Sequence, residues 1–190
     1  MFENNQHLRI KRAHEVCGPA ARSFALIACG AQKGAVIWIS ERKNPEQLFP
    51  AGVARFCDPA RIIFANAKSS IDVLWSAEEA LRSGAASIVV AEVEKPMSLT
   101  AGRRLQLAAE AGKTLGLFLI PEGMGSNAAE TRWRCSPQFD AKDSTLLYWQ
   151  LIKNKSGTLG DWVVRWDEQA RRVIVVSKVG ERAGSARAPD

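Results

Sequence analysis

Short apolar runs alternate with helical spacings over the first two thirds of the chain. Residues 35–40 (AVIWIS), 61–65, 87–93 (SIVVAEV) and 115–121 are rich in β-branched residues and apolar at both parities. Strands buried on both faces of a parallel sheet read this way. Between them lie helical patterns. Residues 20–29 are alanine-rich, and Gly30 is expected to stop that helix. Ser70 is expected to cap a helix running to Ser83, with Asp72 in its first turn and Gly84 beyond its end. Helical spacing puts Ile71, Leu74, Trp75 and Leu81 on its inner face. Thr100 is expected to cap another helix, which turns Leu105, Ala108 and Ala109 inward and ends at Gly112. This rhythm predicts an α/β fold, with a parallel sheet and right-handed crossovers.

The pattern changes after Pro121. Residues 122–127 (EGMGSN) form a glycine-rich, flexible loop with no basic residue. Residues 131–136, 146–154, 162–166 and 173–177 then alternate as antiparallel strands do, with turns over 156–160 and at 168–169. We therefore divide the chain into a short N-terminal extension (1–12), one domain (13–178) and a disordered tail (179–190).

Composition adds limits. The chain has 190 residues, of which 46% are hydrophobic and 24% charged, as expected of one ordinary globular domain. No apolar run approaches the roughly 20 residues of a membrane helix, and the polar N-terminus carries no signal segment, so a cytoplasmic protein with no membrane contact is expected. Cys17, Cys29, Cys57 and Cys135 form no C-x-x-C pair, and neither His7 nor His14 completes a zinc set. No metal site is expected, and the thiols are read as small apolar packers. Lys and Arg number 26 against 20 Asp and Glu, a net charge of +6. That permits contact with nucleic acid or an acidic protein face. The densest basic spots are residues 9–12, Arg103 with Arg104, Arg132 with Arg134, and Lys153 with Lys155; each fits a solvated surface or a binding role. Most of the six tryptophans should be core, with one or two facing a partner.

Three stretches carry a resemblance. Residues 14–19 (HEVCGP) are a strand entering Gly-Pro and a helix, where RecA-family ATPases place their phosphate loop. Residues 85–92 (AASIVVAE) resemble the strand ending in that family's metal-binding aspartate. Residues 152–155 (IKNK) resemble a RecA strand end whose lysines reach a neighbouring subunit. Within that superfamily the chain resembles the ImuA family of bacterial mutagenesis proteins. The supporting segments are HEVCGPAARSFAL (14–26), EEALRSGA (78–85), LTAGRRLQLAAEAG (99–112) and ETRWRCSP (130–137). The glycine-rich stretch and helix that precede the first strand in longer members have no counterpart ahead of His14. The resemblance implies a RecA-like three-layer sandwich, with a mostly parallel central sheet and antiparallel C-terminal strands.

ATP hydrolysis is not expected. A working loop, G-x-x-x-x-G-K-[ST], wraps phosphates in backbone N–H groups, reaches them with lysine and holds Mg²⁺ with a hydroxyl. Here the loop reads Gly18, Pro19, Ala20, Ala21, Arg22, Ser23, Phe24, without the second glycine or the lysine. Arg22 is a planar fork and no substitute for a point charge. At the second strand end Ala91 occupies the aspartate position, and alternation turns Glu92 to the other face. Glu41, after the second strand, is either a surface carboxylate or a mimic of a water-activating glutamate. The loops that would touch DNA carry no basic groove with stacking aromatics.

The resemblance therefore implies a protein without enzymatic activity or cofactor, acting in damage-induced translesion synthesis. Its implied partners are a RecA-type recombinase, a Y-family polymerase homologue and an error-prone polymerase, with single-stranded DNA as a further possibility. Partner contact is expected at Lys153, Lys155, Arg132 and Arg134. The alternatives are a single-stranded nucleic-acid-binding module and a SulA-like inhibitor of cell division.

Overall fold

The computed structural model describes residues 8–43 and 48–182, with side chains as far as Ser177. Six parallel strands come first: β1 (Ala13–Cys17), β2 (Val36–Glu41), β3 (Ile62–Ala67), β4 (Ile88–Glu92), β5 (Leu115–Leu119) and β6 (Thr131–Pro137). An antiparallel meander follows: β7 (Leu146–Asn154), β8 (Leu159–Asp167) and β9 (Arg172–Arg182). All nine join one sheet in the order β3-β2-β4-β5-β1-β6-β7-β8-β9. The architecture is α/β and consistent with a RecA-like sandwich. β6 departs from its expected antiparallel setting, because it runs parallel to β1 and meets only β7 in the antiparallel sense.

Helices α1 (Ala21–Ala31) and α2 (Pro50–Ala54) cover one face of the sheet, α3 (Ser70–Ser83) and α4 (Leu99–Ala111) the other. Parity along each strand divides the core. Val16, Trp38, Ile88, Val90 and Leu117 pack toward α1, whereas Ile39, Val89, Ala91 and Phe118 pack toward α3 and α4.

Several helix expectations are corrected. Gly30 lies inside α1 and does not end it; a Cβ there would stand 2.3 Å from the carbonyl oxygen of Phe56, so it is close packing that requires glycine. Ser69, not Ser70, caps α3 by accepting from the Asp72 N–H, and Ser98, not Thr100, caps α4 by accepting from Ala101. Gly84 takes the left-handed conformation just past α3, as expected. The inner face of α3 is Val73, Ala77, Glu78 and Leu81; Ile71 and Trp75 are 79% and 61% exposed. Buried Glu78 explains the rotation, since its carboxylate joins Arg82 (2.5 Å) to Arg104 of α4 (2.7 Å).

Leu8 is buried in the α1-side core, so the fold begins inside the presumed extension. β9 continues to Arg182 along β8, because strand pairing extends past the apolar run. The rest of the expected tail, and residues 1–7 with His7, lie outside the described residues. All four cysteines are buried, and burial pushes their thiols up. Among the described residues there is no cluster of three or more potential metal ligands, and no helix long and apolar enough to cross a membrane.

His14 on β1 is wholly buried, and desolvation lowers its pKa from 6.5 to about 4. Trp133 Nε1 donates to Thr131 Oγ1 (3.1 Å), leaving the threonine proton for His14 Nδ1 (2.7 Å). His14 Nε2–H then donates to the Arg9 carbonyl (3.0 Å), which fixes the neutral tautomer. The folded state resists protonation that the unfolded chain accepts, so stability present above pH 6.5 drains away as the pH falls toward 4. Chemical denaturation should register a loss of about 3 kcal/mol over that window, which His14→Gln should largely abolish. An equal slope in both proteins would rule out this role for His14.

Candidate functional site

The 18–24 loop, expected to be a degenerate phosphate loop, is closed by backbone contacts with β6 and with itself. Gly18 adopts φ +92°, and a Cβ there would stand 2.5 Å from the Cys135 carbonyl oxygen. This residue must be glycine for both reasons. That same carbonyl accepts from the Ala20 N–H (3.0 Å), and the Ala21 N–H returns to the Gly18 carbonyl (3.0 Å). Two N–H groups of the loop are thus engaged by protein. Pro19 is exposed and Ser23 half-buried, while Phe24 leaves the loop for the core, against Trp133 (5.4 Å between ring centroids) and Trp149 (4.7 Å).

The Arg22 fork reaches across to the end of β4. Its Nη2 lies 2.7 Å from Glu92 Oε2 and its Nε 3.2 Å from Oε1, which also accepts from Trp38 Nε1 (2.9 Å). This corrects the expectation that Glu92 turns away from the loop. Glu92 shares the α1 face with Ile88 and Val90, and it is Ala91 that faces α3 and α4. Alternation was sound; its phase was not.

The residues therefore do not fit Mg-ATP. The Glu92 carboxylate, directed at the loop, is already neutralised and hydrogen-bonded, and the lysine of a working G-x-x-x-x-G-K-[ST] loop is not in this stretch of the sequence. Glu41 belongs to neither part. It is on the α3 face of the sheet, where the Ser70 hydroxyl and the Lys43 ammonium hold its carboxyl below the usual range.

The expected partner residues split into two environments. Arg132 donates to buried Glu15 (2.8 Å) and to the Ser126 carbonyl (2.9 Å), while the Ser126 N–H donates to the other Glu15 oxygen (2.8 Å). This ties β1, β6 and the 122–127 loop together, so Arg132 is a brace, and the loop's C-terminal half is fixed instead of flexible. Lys153, partly buried, and Lys155, exposed, donate to the carbonyls of Ala129 and Ala128. Burial, with Lys155 and Arg132 nearby, lowers the Lys153 ammonium to about 8. Asn154 builds the hairpin turn, accepting from Ser156. Arg134 stands apart, 45% exposed and 3.4 Å from Glu122. The braced group and the Arg22–Glu92 pair thus lie on opposite faces of the sheet.

No family model matches the chain. Among curated proteins, it is similar to Protein ImuA from two strains of Caulobacter vibrioides, 35% identical over 116 residues. The match covers 55% of this chain and 46% of each relative, so the chain spans about half the length of the proteins it matches. The similarity supports the resemblance to the ImuA family. Sequence reasoning found the loop and the lysines but missed Trp38 and Glu15. Glu15, the charged residue at the centre of the buried strand AHEVC, was the available signal, because a buried charge requires a partner.

Proposed function

We propose that this chain is a non-catalytic, RecA-like accessory protein of damage-induced mutagenesis, acting in the cytoplasm through protein contacts. The observation that carries the reading is the Arg22–Glu92 pair, with Trp38 on the same carboxylate. In a RecA-type ATPase, by resemblance, the corresponding carboxylate serves the metal and the loop serves the phosphates. Phosphoryl transfer depends on those charges being free to act on nucleotide. Here they neutralise each other and form part of the scaffold.

The partners proposed by resemblance are a RecA-type recombinase, a Y-family polymerase homologue and an error-prone polymerase. Immobilised protein, exposed to extract from DNA-damaged cells of the source organism, should retain the recombinase or the polymerase homologue. Deleting the gene should lower the mutation frequency after ultraviolet damage. Retention of the cell-division GTPase alone, with mutagenesis unchanged, would favour a SulA-like inhibitor. Tight binding to single-stranded DNA with a steep salt dependence would favour a nucleic-acid module.

A further inference from the structure

A cleft of about 1000 Å³ runs between α4 and the end of β7. Leu99, Arg103 and Leu107 line it from α4 at i, i+4 and i+8, a single stripe about 12 Å long. Ile152, Lys153 and Lys155 form the opposite wall, and Ala128 lies between. The leucines are not core residues: Leu99 is 45% exposed and Leu107 65%. Three cations line the cleft, and none of its described lining residues is acidic.

We propose that this cleft is a docking groove for a short acidic and apolar segment of a partner protein. Charge complementarity selects the occupant. An apolar segment alone would bury Arg103 and the lysines uncompensated, and a purely acidic one would leave the two leucines in water. A segment with apolar residues over Leu99 and Leu107, and carboxylates toward Arg103 and Lys155, satisfies both. Such anchor spacing on one helix stripe is a familiar way to hold a peptide. The lysines are fixed in advance by the carbonyls of Ala128 and Ala129, so less freedom is lost on binding. Burial, and after it the charges of Lys155 and Arg132, hold Lys153 near 8; an incoming carboxylate would offset the contribution of those two charges.

This inference rests on reading the chain as a protein-binding one. A random library of peptides about twelve residues long, selected on the intact protein, would test it. Enriched sequences should combine Asp or Glu with Leu or aromatic residues. Synthetic copies should perturb the NMR signals of Arg103, Leu107 and Lys155, and raise the Lys153 pKa. Arg103→Glu and Leu107→Asp should each weaken them at least about tenfold. Both positions are exposed enough to leave folding intact, which circular dichroism would verify. Peptides without acidic residues, peptides binding both variants as well as wild type, or oligo(dT) moving the same signals without peptide enrichment would each overturn the proposal. If the groove fails while gene deletion still lowers damage-induced mutation, only the groove is lost; if it binds while the protein turns over ATP, only the proposed function is.

Discussion

Arg132→Ala should be among the most destabilising single substitutions in this protein, at about 3–5 kcal/mol. Glu15, opposite it, is 1% exposed and has two hydrogen bonds, one from Arg132 and one from the Ser126 N–H. Truncating the arginine strands a buried carboxylate and frees the Ser126 carbonyl, so the anchored half of the 122–127 loop should loosen as well. Urea denaturation measures the loss, and hydrogen exchange at Ser126 reports the loop. Arg134→Ala should cost no more than about 0.5 kcal/mol, because that side chain is half in solvent. Equal losses from the two arginines would contradict the division between brace and surface. Lys153→Glu is subject to the same reasoning: a carboxylate there would face Glu15 and Glu130, so it is unsuitable as a mild surface reversal.

Leu81→Ala is expected to cost about 2–5 kcal/mol, since Leu81 is wholly buried between α3 and the sheet. Trp75→Ala, one of the larger truncations available on that helix, should cost far less, because Trp75 is 61% exposed. Thermal melts of the two variants compare them directly. A larger drop for Trp75 would mean that α3 presents its tryptophan inward after all.

The same helix marks how far the sequence could be read. Its extent was legible from Ser83 and Gly84 at its end and a serine at its start. Its rotation was not: bulky Ile71 and Trp75 compete with Val73, Ala77 and Leu81 as an apolar stripe. What decides between them is a buried carboxylate bridging two arginines, a tertiary contact that spacing does not encode. β4 poses the corresponding problem for a strand. A run apolar on both faces has no polar residue to set its phase, so whether Ala91 or Glu92 meets the phosphate loop is undetermined locally. Pairing with β2 resolves it, placing Trp38 and Glu92 on one face. The lysines were found by position, yet their direction depends on the carbonyls of Ala128 and Ala129, just past the loop read as flexible, which have no signature in the sequence. The parallel strands, the Gly-Pro loop and the antiparallel end were legible because each has a local signature of runs, Gly-Pro and alternation.

In the proposed reading the Arg22–Glu92 ion pair stands where a RecA-type ATPase would hold its nucleotide. Phosphate release from Mg-ATP by the purified protein, with and without single-stranded DNA, tests it most directly. We predict release no greater than a protein-free blank under both conditions. DNA-stimulated release abolished by Glu92→Gln would contradict the account, because the Glu92 carboxylate would then be serving a metal and not Arg22.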